Sequence, residues 1–168
     1  MKSSTIEKKA SALLKRHSLM ETPVDIFSLV DDEGITLVID EMEDDHSGFL
    51  LVENGRATIA INESHHPNRQ RFTAAHELGH LTLHAKDEDR FFVDKAFNRG
   101  PSASQGTHRE EIEANRFAAA LLMPEKLVRK DVGDNEITDL DIYKLSLRYG
   151  VSEQAMTLRL VNLGIIEP

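Results

Sequence analysis

The sequence contains no cysteine among its 168 residues, and this absence limits the chemistry that the protein can support. A disulfide framework and a thiolate metal site are both excluded. Any bound zinc ion would have to be held by histidine, aspartate or glutamate side chains. The composition, 40% hydrophobic and 29% charged, is typical of one folded globular domain and not of a disordered chain.

Positive charge is also scarce, because 20 lysine and arginine residues stand against 29 aspartate and glutamate residues, for a formal net charge of -9. Such a balance weakens affinity for a phosphate backbone, so DNA binding is not expected. Long apolar runs are missing as well, which argues against a membrane span, and the polar first residues do not resemble a signal peptide. We therefore expect a cytoplasmic protein.

What the sequence does contain is the pattern H-E-x-x-H, formed by His76, Glu77 and His80 within the stretch 71–84. Good helix formers and the absence of proline predict a helix there, on which the two histidines lie one above the other. Small and apolar residues cover most of the helix surface outside the arc that these polar residues share. A helix of that kind is normally buried, and a zinc ion with a bound water would satisfy its polar side chains.

A later helix, expected over 109–123, supplies a candidate third ligand. Glu113 falls on the same face as Phe117, where a carboxylate needs a partner, and a metal ion already held by two histidines would be one. Glu110 is an alternative ligand on that face. An ordinary ion pair between Glu113 and Arg116 would explain the sequence without any metal.

Two histidines and one glutamate leave the fourth position of a tetrahedral zinc ion open, as in catalytic zinc sites. Glu77, turned towards the substrate side, could then take the proton of the bound water and pass it to a leaving amine. This arrangement predicts peptide hydrolysis, although Glu77 could also serve only as a hydrogen-bond acceptor and the metal only as a structural ion. His84 could orient a ligand. The sequence does not choose an oxyanion-stabilising residue among the remaining candidates, which are His65, His66, His108 and Tyr143.

Around the motif helix, the periodicity of the sequence predicts an α+β fold. Two helices and three strands are expected before it: helices over 4–17 and 23–32, and strands over 35–39, 48–52 and 56–62. The last two strands would be joined by a turn at Asn54-Gly55, in a small antiparallel sheet. The last strand would leave an edge at which a peptide could bind, unless another strand covers that edge. Segment 85–107 is expected to be a long loop and a possible lid.

The last part of the chain, 133–168, predicts a helical unit that follows a main domain over 1–132. Helices over 139–149 and 152–163 flank the turn Gly150-Val151-Ser152, as in a helix-turn-helix unit. Acidic residues outnumber basic ones in this unit, so its affinity for duplex DNA would be weak. A role in packing or in binding a partner is therefore expected.

Two stretches taken together resemble the ImmA/IrrE family of bacterial zinc metallopeptidases. They are RFTAAHELGH at 71–80 and EIEANRFAAALLMP at 111–124, and the second raises the specificity far above that of H-E-x-x-H alone. The resemblance runs from about Val24 to Ile166 and implies a zincin-like fold of the gluzincin type.

By position, the resemblance implies that His76 and His80 are paired zinc ligands, Glu77 the catalytic base and Glu113 the third ligand. It also implies the regulated proteolysis of an Xre-type helix-turn-helix repressor, which relieves repression in a mobile element, a prophage or a stress response. The alternative is a noncatalytic protein that is stabilised by its metal and binds a repressor or toxin. Both hypotheses include Zn²⁺, which this ligand set favours over other borderline metals, and they differ in the role of Glu77.

Overall fold

The computed structural model describes residues 1–85, 89–95, 108–134 and 136–167, and it has the α+β architecture that the sequence predicts. The helices in these residues are α1 (Ser3–Arg16), α2 (Ile26–Asp32), α3 (Pro67–His84), α4 (His108–Leu122), α5 (Glu125–Val132), α6 (Asp139–Tyr149) and α7 (Glu153–Asn162). The strands are β1 (Thr36–Asp40), β2 (His46–Glu53), β3 (Arg56–Asn62) and β4 (Arg90–Lys95). None of the described helices has the length and apolarity needed to cross a membrane.

The four strands form one mixed sheet in the order β1-β3-β2-β4. β2 runs antiparallel to β3 and to β4, whereas β1 runs parallel to β3. The predicted antiparallel pairing of β2 with β3 is present, but the prediction of a wholly antiparallel sheet was wrong. Of the two alternatives for the edge of β3, the structure has the one in which another strand, β1, covers it. The chain reverses between β1 and β2 and again at the hairpin, so β3 points the same way as β1 and enters the sheet between the two earlier strands.

The hairpin between β2 and β3 forms at the predicted turn. Asn54 and Gly55 have φ angles of 51° and 73°, the left-handed conformations that a two-residue hairpin turn requires. A prediction made from two residues is confirmed here because the turn geometry selects residue types that tolerate positive φ.

Strand β4 lies inside the segment that was predicted to be a loop. Phe92 on this strand is buried in the core, and the ring centroid of Phe91 lies 5.6 Å from that of Phe49 on β2. The remainder of the predicted loop, 86–88 and 96–107, lies outside the described residues. The lid hypothesis concerns this segment and therefore stays a prediction.

The motif helix α3 packs between the sheet and α4. On the sheet side, a side chain at Gly48 would lie 2.6 Å from Thr73 Cγ2 and 2.4 Å from the Ala60 carbonyl oxygen, so only glycine permits this approach. On the other side, a Cβ at Gly79 would lie 3.2 Å from Ala114 Cα. Backbone contact on two sides buries the middle of α3, as the sequence predicts.

The helical pair α6 and α7 shares its hydrophobic cluster with the rest of the protein. Leu145, Tyr149, Met156 and Leu160 are buried in that cluster together with residues of α1, α3 and α4. The proposed domain boundary near residue 132 remains a prediction.

Candidate metal centre

Three side chains from two helices converge at the middle of α3. His76 and His80 come from that helix, and Glu111 comes from the first turn of α4. The His76 and His80 Nε2 atoms are 3.0 Å apart, and each lies 3.3 Å from one oxygen of the Glu111 carboxylate. Both imidazoles are buried, whereas the Glu111 side chain is 21% exposed. The cluster is therefore set into the protein interior and opens towards solvent on the carboxylate side.

These donors fit a zinc ion. Around a tetrahedral zinc, ligand atoms at about 2.0 Å from the ion lie about 3.3 Å from one another. The separations between the Glu111 oxygens and the two nitrogens have this value, and the nitrogens lie slightly closer. Two imidazole nitrogens and one carboxylate are also ligand types that zinc prefers, so the donor chemistry fits the ion.

The structure places Glu111, and not the predicted Glu113, beside the two histidines, so Glu111 replaces Glu113 as the candidate third ligand. The Glu113 carboxylate is buried, as predicted, but its Oε1 accepts a hydrogen bond of 2.9 Å from Arg109 Nε and pairs with the amino group of Met1. Its Oε2 lies 3.9 Å from His84 Nε2. Helical periodicity identifies a buried carboxylate, but it does not show which neighbour that carboxylate meets.

The alternative ligand, Glu110, is also directed elsewhere. Its Oε1 lies 3.3 Å from Nη1 of Arg90 on β4. The candidate metal group that includes the two histidines contains Glu111 as its carboxylate among the described residues.

Sequence reasoning missed two residues that hold the imidazoles in place. Asn115 lies one turn after Glu111, and its Oδ1 is 3.0 Å from His76 Nδ1. When Nδ1 carries the proton, it donates to this oxygen and leaves the Nε2 lone pair directed at the centre. Phe92 stacks on His80 with ring centroids 4.3 Å apart and planes at 22°. Asn115 lies in the second sequence motif, within Glu-Ala-Asn, and could have been found there. Phe92 lies in the segment that was predicted to be a loop.

Electrostatics favour a charged Glu111 carboxylate beside a neutral His80. Burial alone would raise the pKa of Glu111, but hydrogen bonds from His76 and His80 outweigh it and lower that pKa to about 2. Burial lowers the pKa of His80, and Glu111 only partly offsets this effect. A carboxylate anion beside neutral imidazoles is the protonation state in which these groups bind metals.

The predicted base, Glu77, is fully buried on α3 directly after His76. Its catalytic role remains a prediction. Thr73, one turn earlier, is also fully buried.

The other histidines and the tyrosine considered from sequence take different positions. His66 caps α3, accepting a hydrogen bond of 3.1 Å from the Asn68 backbone, and the His84 ring lies 5.7 Å from that of His80. Tyr143 is 46% exposed on α6. His65 Nε2 lies 3.4 Å from the Asp44 carbonyl oxygen. None of these contacts assigns an oxyanion-stabilising residue.

Comparison with known proteins identifies the family to which this chain belongs. The sequence profile of the Peptidase_M78 family, described as the IrrE N-terminal-like domain, matches residues 30–161. The chain belongs to this family. The resemblance inferred from the two motifs is thereby confirmed, and the matched region contains all three residues of the cluster.

Two curated relatives of this Peptidase_M78 chain match over shorter stretches. It is 30% identical over 81 residues to the uncharacterized immunity region protein 2 of Bacillus phage phi105, covering 48% of this chain and 47% of the phage protein. It is 37% identical over 73 residues to the radiation response metalloprotease IrrE of Deinococcus radiodurans, covering 42% of this chain and 20% of that relative. The matches thus span about half of one relative and a fifth of the other.

Proposed function

We propose that this protein is a zinc-dependent endopeptidase that cleaves a specific protein partner in the cytoplasm. The observation that carries the proposal is the buried convergence of His76, His80 and Glu111, with Glu77 next in sequence to the first of them. Membership in a peptidase family supports hydrolysis as the use of this cluster. A purely structural zinc site would normally have four protein ligands, and the described residues supply three.

Each residue has a defined part in the proposed reaction. His76, His80 and Glu111 would hold the zinc ion, and Asn115 would keep the His76 ring in the tautomer that binds it. A bound zinc ion would supply a Lewis acid that polarises the peptide carbonyl and activates the attacking water. The Glu77 carboxylate would accept a proton from that water and deliver it to the nitrogen of the leaving amine.

As the partner, we propose a helix-turn-helix repressor of the Xre type, whose cleavage would relieve repression in a mobile element, prophage or stress response. The support is the resemblance of the motifs and the names of the two relatives, an immunity region protein of a phage and a radiation response metalloprotease. Any small helix-turn-helix protein that is encoded beside this chain would be the first substrate to test.

The experiment is to incubate that repressor with the zinc-loaded protein and follow the intact repressor by mass spectrometry. Wild type should cleave it at one or a few bonds, and a chelator should stop the cleavage. Glu77→Gln should retain zinc but lose at least about 100-fold in rate, as expected for removal of a general base. The exposed Glu125→Gln on α5 is the matched control and should cleave normally.

If Glu77→Gln cleaves the repressor as fast as wild type, the peptidase proposal fails. Zinc that is retained while neither protein cleaves any bond would instead favour the noncatalytic regulator.

A further inference from the structure

A large open groove lies beside the metal centre, between the start of α3, one face of α4 and α7. Its volume is about 700 Å³, within the range of sites that bury a ligand or a peptide segment. α4 lines it with Ile112, Asn115, Arg116 and Ala119, residues spaced along a single face of that helix. Glu111 belongs to the adjacent face, so one helix serves both the metal centre and the groove.

The groove is electropositive in an acidic protein. Its lining includes arginines 69, 116 and 159, and no aspartate or glutamate lines it among the described residues. Arg159 is buried and neutralised by a bidentate pair with Glu7, whereas Arg116 is exposed and carries the charge that a ligand would meet. In a chain of formal net charge -9, this separation of charge selects for an anionic ligand.

The same groove is apolar between its charged groups. Leu158 on α7 is 56% exposed and Ile112 on α4 is 38% exposed, and both lie in the lining with Phe72 and Met123. Exposed aliphatic side chains in a concave site gain free energy when a partner covers them. A free anion such as phosphate would leave them uncovered, whereas a peptide with apolar and acidic residues would cover them and meet the arginines.

The groove reaches the metal centre through two residues. Asn115 lines the groove and also contacts His76 Nδ1 at 3.0 Å, and the Phe72 ring lies 6.5 Å from the His76 ring. A protein with one segment bound in the groove would therefore also lie beside the metal centre.

We propose that this groove is a docking site for an acidic, amphipathic helical segment of the protein substrate. The inference rests on the proposed peptidase function for the identity of the bound molecule, and on the lining residues for its chemistry. Apolar side chains of the segment pack against Ile112 and Leu158, while its carboxylates face Arg116. Docking at a distance from the scissile bond would let the enzyme select one protein without a strict requirement at the cleavage site.

The test uses a defined probe, because the natural segment is unidentified. The probe is a fluorescent helical peptide of about 15 residues, the length at which isolated helices become stable, with leucines on one face and glutamates on the other. A second peptide has lysine in place of every glutamate. Fluorescence anisotropy with the zinc-loaded protein should show binding of the glutamate peptide, weakened by salt, and at least about tenfold weaker binding of the lysine peptide.

Two groove variants and two matched controls locate the binding. Arg116→Glu and Leu158→Asp should each weaken binding of the glutamate peptide about tenfold, through charge reversal and loss of apolar contact. Lys130→Glu on α5 makes the same charge change outside the groove, and Leu147→Asp on α6 alters a leucine that is 62% exposed. Both controls should bind like wild type, and circular dichroism verifies that all four variants are folded.

Equal binding of the two peptides, or equal binding by groove and control variants, would overturn the proposal. So would a preference for duplex DNA over the glutamate peptide that Arg116→Glu abolishes. Glu77→Gln separates this proposal from the peptidase proposal, because it should bind the probe like wild type. If the protein binds the glutamate peptide selectively but cleaves no repressor, the docking proposal stands and only the peptidase proposal fails.

Discussion

Glu111 and Glu113 lie on one helix but meet different partners. Two residues along an α-helix are about 200° apart, so the two carboxylates leave α4 on nearly opposite sides. Glu111 faces both imidazoles, whereas Glu113 faces Arg109 and the amino group of Met1. The side of α4 that faces α3 therefore decides which glutamate can serve as a ligand.

This geometry predicts opposite results for two similar variants. Glu111→Gln removes the charged donor and should weaken zinc binding by more than the roughly 10- to 100-fold that loss of an outer hydrogen-bond partner costs. Glu113→Gln should retain one zinc ion per chain, because its carboxylate does not face His76 or His80. Competition with a chromogenic chelator measures both affinities. Loss of zinc in Glu113→Gln with retention in Glu111→Gln would restore the ligand that the sequence suggested.

Asn115 would act on a bound metal ion through His76 and not by direct contact. Asn115→Ala removes the acceptor at 3.0 Å from Nδ1 and frees the ring to turn and to change tautomer. Zinc affinity should fall about 10- to 100-fold, measured by the same competition. Asn115→Asp, which keeps an acceptor at this position, should recover most of the affinity. The exposed Asn162→Ala on α7 is a matched control, and an equal loss in that variant would show that the effect is not specific to His76.

At the scale of elements, the metal centre depends on how closely α3 and α4 approach. Gly79 permits that approach, since a Cβ there would lie 3.2 Å from the Ala114 backbone and from Phe117 Cδ1. Glu111 is one turn before Ala114, so the contact at Gly79 sets the distance between its carboxylate and the histidines. The glycine at the fourth position of the pattern His76-Glu-Leu-Gly-His80 is thus required for packing at the site.

Gly79→Ala should separate the two helices and weaken the centre. Overpacking costs about 1–3 kcal/mol, which exceeds the roughly 1 kcal/mol that alanine gains in helix propensity. The free energy of unfolding in urea should therefore fall, and zinc affinity should fall with it. Thr82→Ala, later on the same helix, controls for propensity. Unchanged stability and zinc affinity in Gly79→Ala would show that α4 can move without disturbing the site.

The helices of this fold could be predicted closely because their signals are local. The motif helix was expected over 71–84 and extends over Pro67–His84, and α6 has the predicted bounds. His76 and His80 meet because a helix brings residues four apart together. The choice of Glu111 could not be made in this way, because it depends on the rotation of α4 about its axis, which the packing at Gly79 determines.

The sheet was less predictable because strand order is not a local property. The hairpin at Asn54-Gly55 was found from its turn residues, but nothing in β1 shows that it pairs in parallel with β3. β4 pairs with β2 across a long sequence separation and supplies Phe92, which stacks on His80. The contribution of β4 to the site therefore depends on the order of the strands in the sheet, which the local sequence does not determine.

At the scale of the whole molecule, Arg71 ties the motif helix to the helical pair at the end of the chain. Its Nε donates to the Gly150 carbonyl at 3.1 Å, and its Nη2 donates to the Val24 carbonyl at 2.9 Å. One planar guanidinium thus joins α3, the turn between α6 and α7, and the segment before α2. Asn68, at the start of α3, adds a hydrogen bond of 3.0 Å to the Val151 carbonyl.

Arg71→Lys should loosen this junction while preserving the charge. A lysine ammonium lacks the planar fork that reaches carbonyls in different directions, and a hydrogen bond from a charged donor contributes about 1.5–3 kcal/mol. The free energy of unfolding should fall by about 2 kcal/mol in urea titrations, while the exposed Arg56→Lys should change it little. Because α6 and α7 share the main hydrophobic cluster, both variants should still unfold in one transition. A second transition in wild type would show instead that the terminal pair is a separate domain. An unchanged free energy of unfolding in Arg71→Lys would show that the hydrogen bonds of Arg71 do not stabilise the fold.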